Sequence, residues 1–157
     1  MVQKVAKLLK IYRDDDPILR NKCRPVGIPT EPWVLQLCED MKLTMFMAQG
    51  VGLAANQVGW DYRIIYIKCN DFSGVMINPV IKERSDDTIS FEEGCLSLPG
   101  QFIDVKSRNA EITVGYYGMS GKYHEIVAKD KLSVIIQHEV DHLDGILMID
   151  YEEKEDE

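Results

Sequence analysis

The sequence predicts an α+β fold: largely antiparallel sheets packed around a central C-terminal helix that carries an HExxH pattern, with one N-terminal helix. Three observations lead there. Apolar residues recur at helical spacing near both ends of the chain. The middle instead reads as short β-branched runs separated by turn residues. The 157 residues show no internal repeat or linker, so residues 1–157 are expected to form a single domain with its own core.

Taken in order, Pro25, Pro29 and Pro32 keep the chain before residue 33 out of long regular structure. Thr30 is the expected N-cap of the first helix, with Pro32 where a helix start tolerates proline. Val34, Leu37, Cys38, Met41, Met45 and Met47 then mark about four turns ending near Gly50. Arg63–Lys68 and Val75–Ile81 follow as strands, separated by a turn at Asp71–Gly74. Pro79 points to an edge strand or a strand end, since proline brings no N–H to a ladder. Thr88–Phe91 is also strand-like. Glu111–Tyr117 and Tyr123–Ala128 flank Gly118–Lys122, which has the chemistry of a hairpin loop. The last helix is expected to be capped by Asp130 and to run through Lys131–Leu143, with Gly145 as its stop. Leu132, Ile135, Ile136 and Leu143 give it an apolar side, so it should be buried.

Composition narrows the function classes. The chain is 45% hydrophobic and 28% charged, as in soluble globular proteins. No apolar run approaches a membrane span. Met1–Lys10, with Lys4, Lys7 and Lys10, does not read as a signal peptide. A net charge of −8 argues against a nucleic-acid partner. Four cysteines without a CxxC pair read as reduced thiols in a cytoplasmic protein, with Cys23, Cys38 and Cys69 as buried hydrophobes. Asp150–Glu157 reads as a solvated, frayed terminus. A monomer is expected.

The buried last helix carries polar groups that need a reason to be there. His138 and His142, four residues apart, fall on one face one turn apart, where a single cation can take a nitrogen from each. Glu139 projects beside the ion and can accept a proton from water bound to it. Asp141 and Asp144 are nearby candidates for supporting contacts or simple surface charge. His124 should face solvent. A catalytic site needs a third protein ligand. Only 15 residues follow His142. Asp150, Glu152 and Glu153 are available there, but no packed second helix is expected. Cys95, in the glycine-containing loop Glu92–Pro99, is the outstanding upstream candidate, since an ion would deprotonate its thiol.

At these residues the sequence resembles the peptide deformylase family. Gly50–Gln57 reads GVGLAANQ, Glu93–Pro99 reads EGCLSLP and His138–Gly145 reads HEVDHLDG. Asp16–Val26 also resembles the family's opening stretch, so the likeness spans the chain. It implies removal of the formyl group from N-formylmethionyl peptides, with formate released. The metal ligands carried over are Cys95, His138 and His142 around one divalent ion. Ferrous iron is the family's usual metal, and nickel, cobalt or zinc can replace it. Glu139 would serve as general base and acid, while the Gln57 amide and the Leu96 backbone N–H would meet the oxyanion. Backbone near Gly52 and Gly94 would pair with the extended peptide. Val51, Val134 and Ile135 would line an apolar methionine pocket, and later peptide residues would be loosely specified. Transient ribosome association is a further implied partner. Two departures bear on these expectations. The chain stops soon after Tyr151, short of the helix many bacterial members use beyond it, which touches ribosome docking and suits a phage-encoded or organelle-independent form. Many members carry a basic residue two positions after Val105, where this chain has Ser107 with Arg108 adjacent. The alternatives are a metallopeptidase using the same HExxH chemistry and a non-catalytic metal-binding module.

Overall fold

The computed structural model describes residues 5–155. The chain forms helix α1 (Pro32–Met47), strands β1 (Gly52–Ala54), β2 (Ile64–Cys69), β3 (Phe72–Arg84), β4 (Thr88–Cys95), β5 (Leu98–Asn109), β6 (Glu111–Tyr117) and β7 (Tyr123–Lys129), then helices α2 (Asp130–Leu143) and α3 (Ile149–Glu155). Short 3-10 turns occupy Pro17–Arg20 and Ala55–Val58. Five strands form one sheet in the order β1-β2-β3-β6-β7, and β4 with β5 forms a separate two-stranded ribbon. Every pairing in both is antiparallel. This is the α+β arrangement that the sequence predicts.

Strand alternation explains the layering. Ala54, Ile65, Ile67, Met76 and Val114 share a core with Leu132, Ile136 and Val140 of α2. Their sequence neighbours Leu53, Ile64, Val75 and Ile77 share another core with Val34, Leu37 and Met41 of α1. Successive residues point to opposite faces of a strand, so the large sheet lies between the two helices. Each fully buried Leu, Ile or Met contributes roughly 1.5–3 kcal/mol of transfer free energy. A third cluster joins Leu98, Ile103 and Val105 of β5 to Met148 ahead of α3, with Ile149 and Tyr151 packed on it. α2 is therefore fixed between the large sheet and the β4–β5 ribbon.

Several boundaries differ from expectation for physical reasons. α1 is preceded by Glu31 rather than Thr30 at its cap, with no side-chain capping bond. The Glu31 carboxylate instead accepts the Trp33 indole N–H at 2.7 Å. The helix also ends at Met47, earlier than Gly50. α2 begins at Asp130 itself, so Lys129 takes the cap position. The turn between β2 and β3 shortens to Asn70–Asp71, because Cys69 already pairs with Phe72. Pro79 lies in an interior strand, not at an edge. The β3–β6 ladder is interrupted between Ile77 and Val80, and Asn78 has φ +53°, so a bulge takes the missing N–H.

The C-terminal acidic segment is helical as α3, not frayed, over the described residues. Asp150 receives two bonds from the Arg20 guanidinium at 2.8 and 3.1 Å. Asp156 and Glu157 lie outside the described residues, as do Met1–Lys4 of the opening stretch. Cys23 and Cys38 are buried as expected, whereas Cys69 is only half-buried. His124 is exposed and stacks on Tyr116 at 5.3 Å. Among the described residues no helix is long and apolar enough to cross a membrane.

Candidate metal centre

α2 presents His138 and His142 on one face, their ring centroids 5.0 Å apart. The end of β4 brings Cys95 to them. One nitrogen of each histidine and the cysteine sulfur all lie within 4.8 Å of one another. Cys95 Sγ is 3.3 Å from His142 Nε2. His138 Nδ1–H donates to Glu93 Oε1 at 2.8 Å, which fixes the ring and leaves Nε2 as its free donor atom. A thiol and two imidazoles so converged fit a borderline divalent cation with one position left open. The carboxylates after His142 do not join them: Asp150 is committed to Arg20, and Glu152 is exposed. The Glu153 side chain lies outside the described residues.

Burial and charge set the protonation of these groups. Burial pushes the Glu139 carboxyl up to about 7, with His138 and Arg108 opposing and Glu93 and Asp141 assisting. Such a carboxyl can take and return a proton near neutral pH. Its Oε1 is buried with no protein hydrogen-bond partner among the described residues. Burial, with the charges of His138, Arg108 and Arg20, holds His142 well below the usual imidazole range, so it stays neutral as a ligand must. Burial also pulls His138 down, but its bonds to Cys95 and Glu93 and the Glu139 charge outweigh this, up to about 10. A cation taking His138 Nε2 competes with that proton.

Behind His138 lies a buried ionic network. Arg108 Nε and Nη2 donate to the two Glu93 oxygens at 2.8 and 2.9 Å. Arg108 Nη1 donates to Asp141 at 2.5 Å, and the Tyr151 hydroxyl donates to the same carboxylate at 2.7 Å. Asp141 is thus a supporting residue, whereas Asp144 pairs with Arg63 at 3.0 Å. The family's basic position falls on Ser107 in this chain, yet the guanidinium still reaches Glu93. Ile89 pairs with Arg108 and Phe91 with Val105, so β5 carries one extra residue there. This bulge reverses the alternation: Ser107 is exposed and Arg108 is 2% exposed.

The other predicted residues gather around this centre. Gln57 is buried in the 3-10 turn after β1, where its Oε1 accepts the Ala54 N–H at 2.9 Å. Its amide nitrogen donates to Ser97 Oγ at 3.1 Å and aims at Cys95 Sγ, 3.6 Å away. Leu96 opens the two-residue turn between β4 and β5, directly after Cys95. The residues Glu92–Pro99 expected as a loop are mostly strand. Glu and Gly are weak strand formers, but here Glu93 and Gly94 pair with Ile103 and Phe102. β1 ends the five-stranded order, so its second edge is open beside the centre. A Cβ on Gly52 would overlap the Glu139 carboxylate, so only glycine lets these two elements approach. A cavity of about 110 Å³ adjoins His138 and Glu139, lined by Val51, Phe91, Gly94, Val134 and Ile135.

Sequence reading missed three contributors and noted a fourth, Arg108, only as the basic residue next to Ser107. Asn56 donates to the His142 carbonyl at 2.6 Å, and Ser97 anchors Gln57. Both stand inside the quoted motifs, and that was the available signal. Arg108 stands one residue from the family's basic position and a bulge turns it inward, whereas Tyr151 carries no local signal and is brought in by a tertiary contact.

Fold and site together define a hydrolase whose centre has the residues to hold a metal ion. A sequence model of the family described as polypeptide deformylase matches residues 8–157. The peptide deformylase of Syntrophobacter fumaroxidans is 45% identical over 148 residues, covering 91% of this chain and 85% of that protein. The Met-Ala-Ser-bound class I type b peptide deformylase from Acinetobacter baumannii has a TM-score of 0.87 at 32% identity, covering 94% of this chain and 99% of that one. Peptide deformylase from Thermotoga maritima has a TM-score of 0.88 at 35% identity, covering 92% and 97%. The chain belongs to the peptide deformylase family, and it is an enzyme of that kind.

Proposed function

We propose that this enzyme hydrolyses the N-formyl group of formylmethionyl peptides, releasing formate and a free amino terminus. The observation that carries the reading is the mainly apolar cavity, with Glu92, Glu93 and Lys131 also in its lining, beside Glu139 and the Cys95, His138 and His142 cluster. It is sized and lined for one unbranched apolar side chain, next to a group able to move a proton.

Cys95, His138 and His142 would hold one divalent ion, with ferrous iron the preferred occupant. The chemistry supplied by such an ion is polarisation of the formyl carbonyl and acidification of a water molecule. Glu139 takes the proton as water adds to the formyl carbon. The oxyanion meets the Gln57 amide hydrogen that points toward Cys95 and the Leu96 N–H. When the C–N bond breaks, Glu139 returns the proton to the leaving amine and the former formyl carbon departs as formate. The methionine side chain enters between Val51, Val134 and Ile135. Its backbone pairs with the open edge at Gly52 on one side and with Gly94 on the other, as strand addition requires. A relative's bound peptide points the same way, since the Acinetobacter protein was crystallised with Met-Ala-Ser, the peptide left once a formyl group is removed. Residues 1–157 would work as one cytoplasmic, monomeric domain.

The test is formate release from formyl-Met-Ala-Ser by anaerobically prepared enzyme. Formate with an otherwise intact peptide supports the reading. Cleavage inside Met-Ala-Ser without formate would assign the centre to a peptidase.

A further inference from the structure

The methionine cavity adjoins a second, larger depression of about 720 Å³ at the end of α1 and the start of β1. Val51 and Lys131 line both. Phe46, Met47 and Val51, which give it an apolar wall, are 63%, 59% and 47% exposed. These apolar side chains share the depression with the polar Gln49, Asn70 and Ser73, so it offers both an apolar wall and hydrogen-bonding groups. The charges in it are all positive. Lys68 and Lys131 line the groove and no carboxylate does, although the whole chain carries a net charge of −8. Lys68 Nζ lies 5.5 Å from the centre of the Phe46 ring. Neither lysine has an ion-pair partner among the described residues.

We propose that this groove is a specificity subsite for the third residue of the formylated peptide and favours an acidic side chain there. The inference rests on the deformylase reading and narrows it, replacing loose specificity beyond methionine with a charge preference. Gly52 touches Glu139, so the path Gly52, Val51, Gly50 leads from the reacting centre into the groove. A peptide extended along that edge rises about 3.3 Å per residue and alternates its side chains between two faces. Its first and third residues then share a face, about 7 Å apart. The first fills the small cavity, Lys131 borders both positions, and the third meets Lys131 and Lys68. Phe46 and Met47 cover the methylene stem of the acidic side chain while the carboxylate reaches the ammonium groups. Solvent-exposed pairs of this kind are modest, so the preference should be about threefold in kcat/KM and should shrink with salt.

The experiment compares formyl-Met-Ala-Glu-Ser with formyl-Met-Ala-Lys-Ser on the metal-replete full chain, at low and at high ionic strength, alongside the Lys68→Glu variant. The expected result is a glutamate preference of about threefold or more at low salt, reduced at high salt and inverted in Lys68→Glu. Should that variant fold poorly, the salt dependence of the wild-type ratio carries the test. Equal turnover of both peptides overturns the groove assignment and leaves the deformylase reading standing. A preference unmoved by salt or by Lys68→Glu overturns it equally. No formate from either peptide overturns the deformylase reading, and the subsite with it.

Discussion

His138 Nδ1 lies 2.8 Å from Glu93 Oε1, and that carboxylate is itself gripped through both oxygens by Arg108. The contact selects which imidazole nitrogen faces Cys95 and holds the ring in its plane. Removing such an outer partner commonly weakens a metal site by about 10- to 100-fold. Glu93→Gln should raise the metal dissociation constant by that order, read by competition with a chromogenic chelator. An unchanged constant would make the contact merely structural.

Arg108→Ala should be far more damaging to the fold. It leaves Glu93, 6% exposed, and Asp141 without their countercharge. Breaking a buried pair by removing one partner costs about 3–5 kcal/mol. Chemical denaturation should show a loss of that size, while Ser107→Ala, on the exposed side of the bulge, should leave the midpoint near wild type.

Gly52→Ala separates catalysis from metal binding. The added methyl overlaps the Glu139 carboxylate, and its three nearest neighbours are all Glu139 atoms rather than ligand atoms. Displacing a proton-transfer group by about 1 Å can cost about a hundredfold in turnover. Metal content should stay near one ion per chain while kcat falls; loss of metal in this variant would contradict the reading. Glu139→Ala should behave alike, with a loss of about 10²–10⁴-fold.

Val134→Phe addresses the cavity. It should fill much of the 110 Å³ beside His138 and Glu139. Hydrophobic pockets discriminate by about 1–3 kcal/mol per methylene-sized change, so KM for formyl-Met-Ala-Ser should rise about tenfold or more. Steady-state kinetics would show this, and an unaltered KM would move the methionine side chain elsewhere.

Acid stability follows from Glu93. Burial opposes its charge, but the hydrogen bonds from Arg108 and His138 prevail and hold the carboxyl below its ordinary value of 4.5. A depressed folded-state value stabilises the fold above the unfolded-state value. That stabilisation is lost as pH falls through the folded-state value. Wild-type protein stripped of metal should therefore lose melting temperature progressively below about pH 4.5. Glu93→Gln should start lower and fall less steeply over the same range. Parallel curves would contradict the assignment.

What the sequence made legible was local. His138 and His142 share a helical face by spacing alone, with Glu139 beside them, and the β-branched apolar run Arg63–Lys68 already reads as a strand. Cys95 was legible as a ligand because the histidines lacked a third partner downstream. β5 was not read as a strand, although Ile103 and Val105 alternate with Asp104 and Lys106, because the run is short and flanked by Gly100, Gln101 and charged residues; pairing with β4 completes it. Arg108 was hidden by the bulge that shifts it one residue. Tyr151 was hidden because α3 is short and acidic, held by Arg20 and by packing on the β4–β5 ribbon rather than by its own propensity.

The most direct measurement is an anaerobic titration of metal-stripped enzyme with ferrous ion, reading formate from formyl-Met-Ala-Ser at each step. The account predicts a linear rise that breaks at one ion per chain, with Cys95→Ala showing no such break. Formate release independent of added metal, or a Cys95→Ala titration that matches wild type, would contradict it.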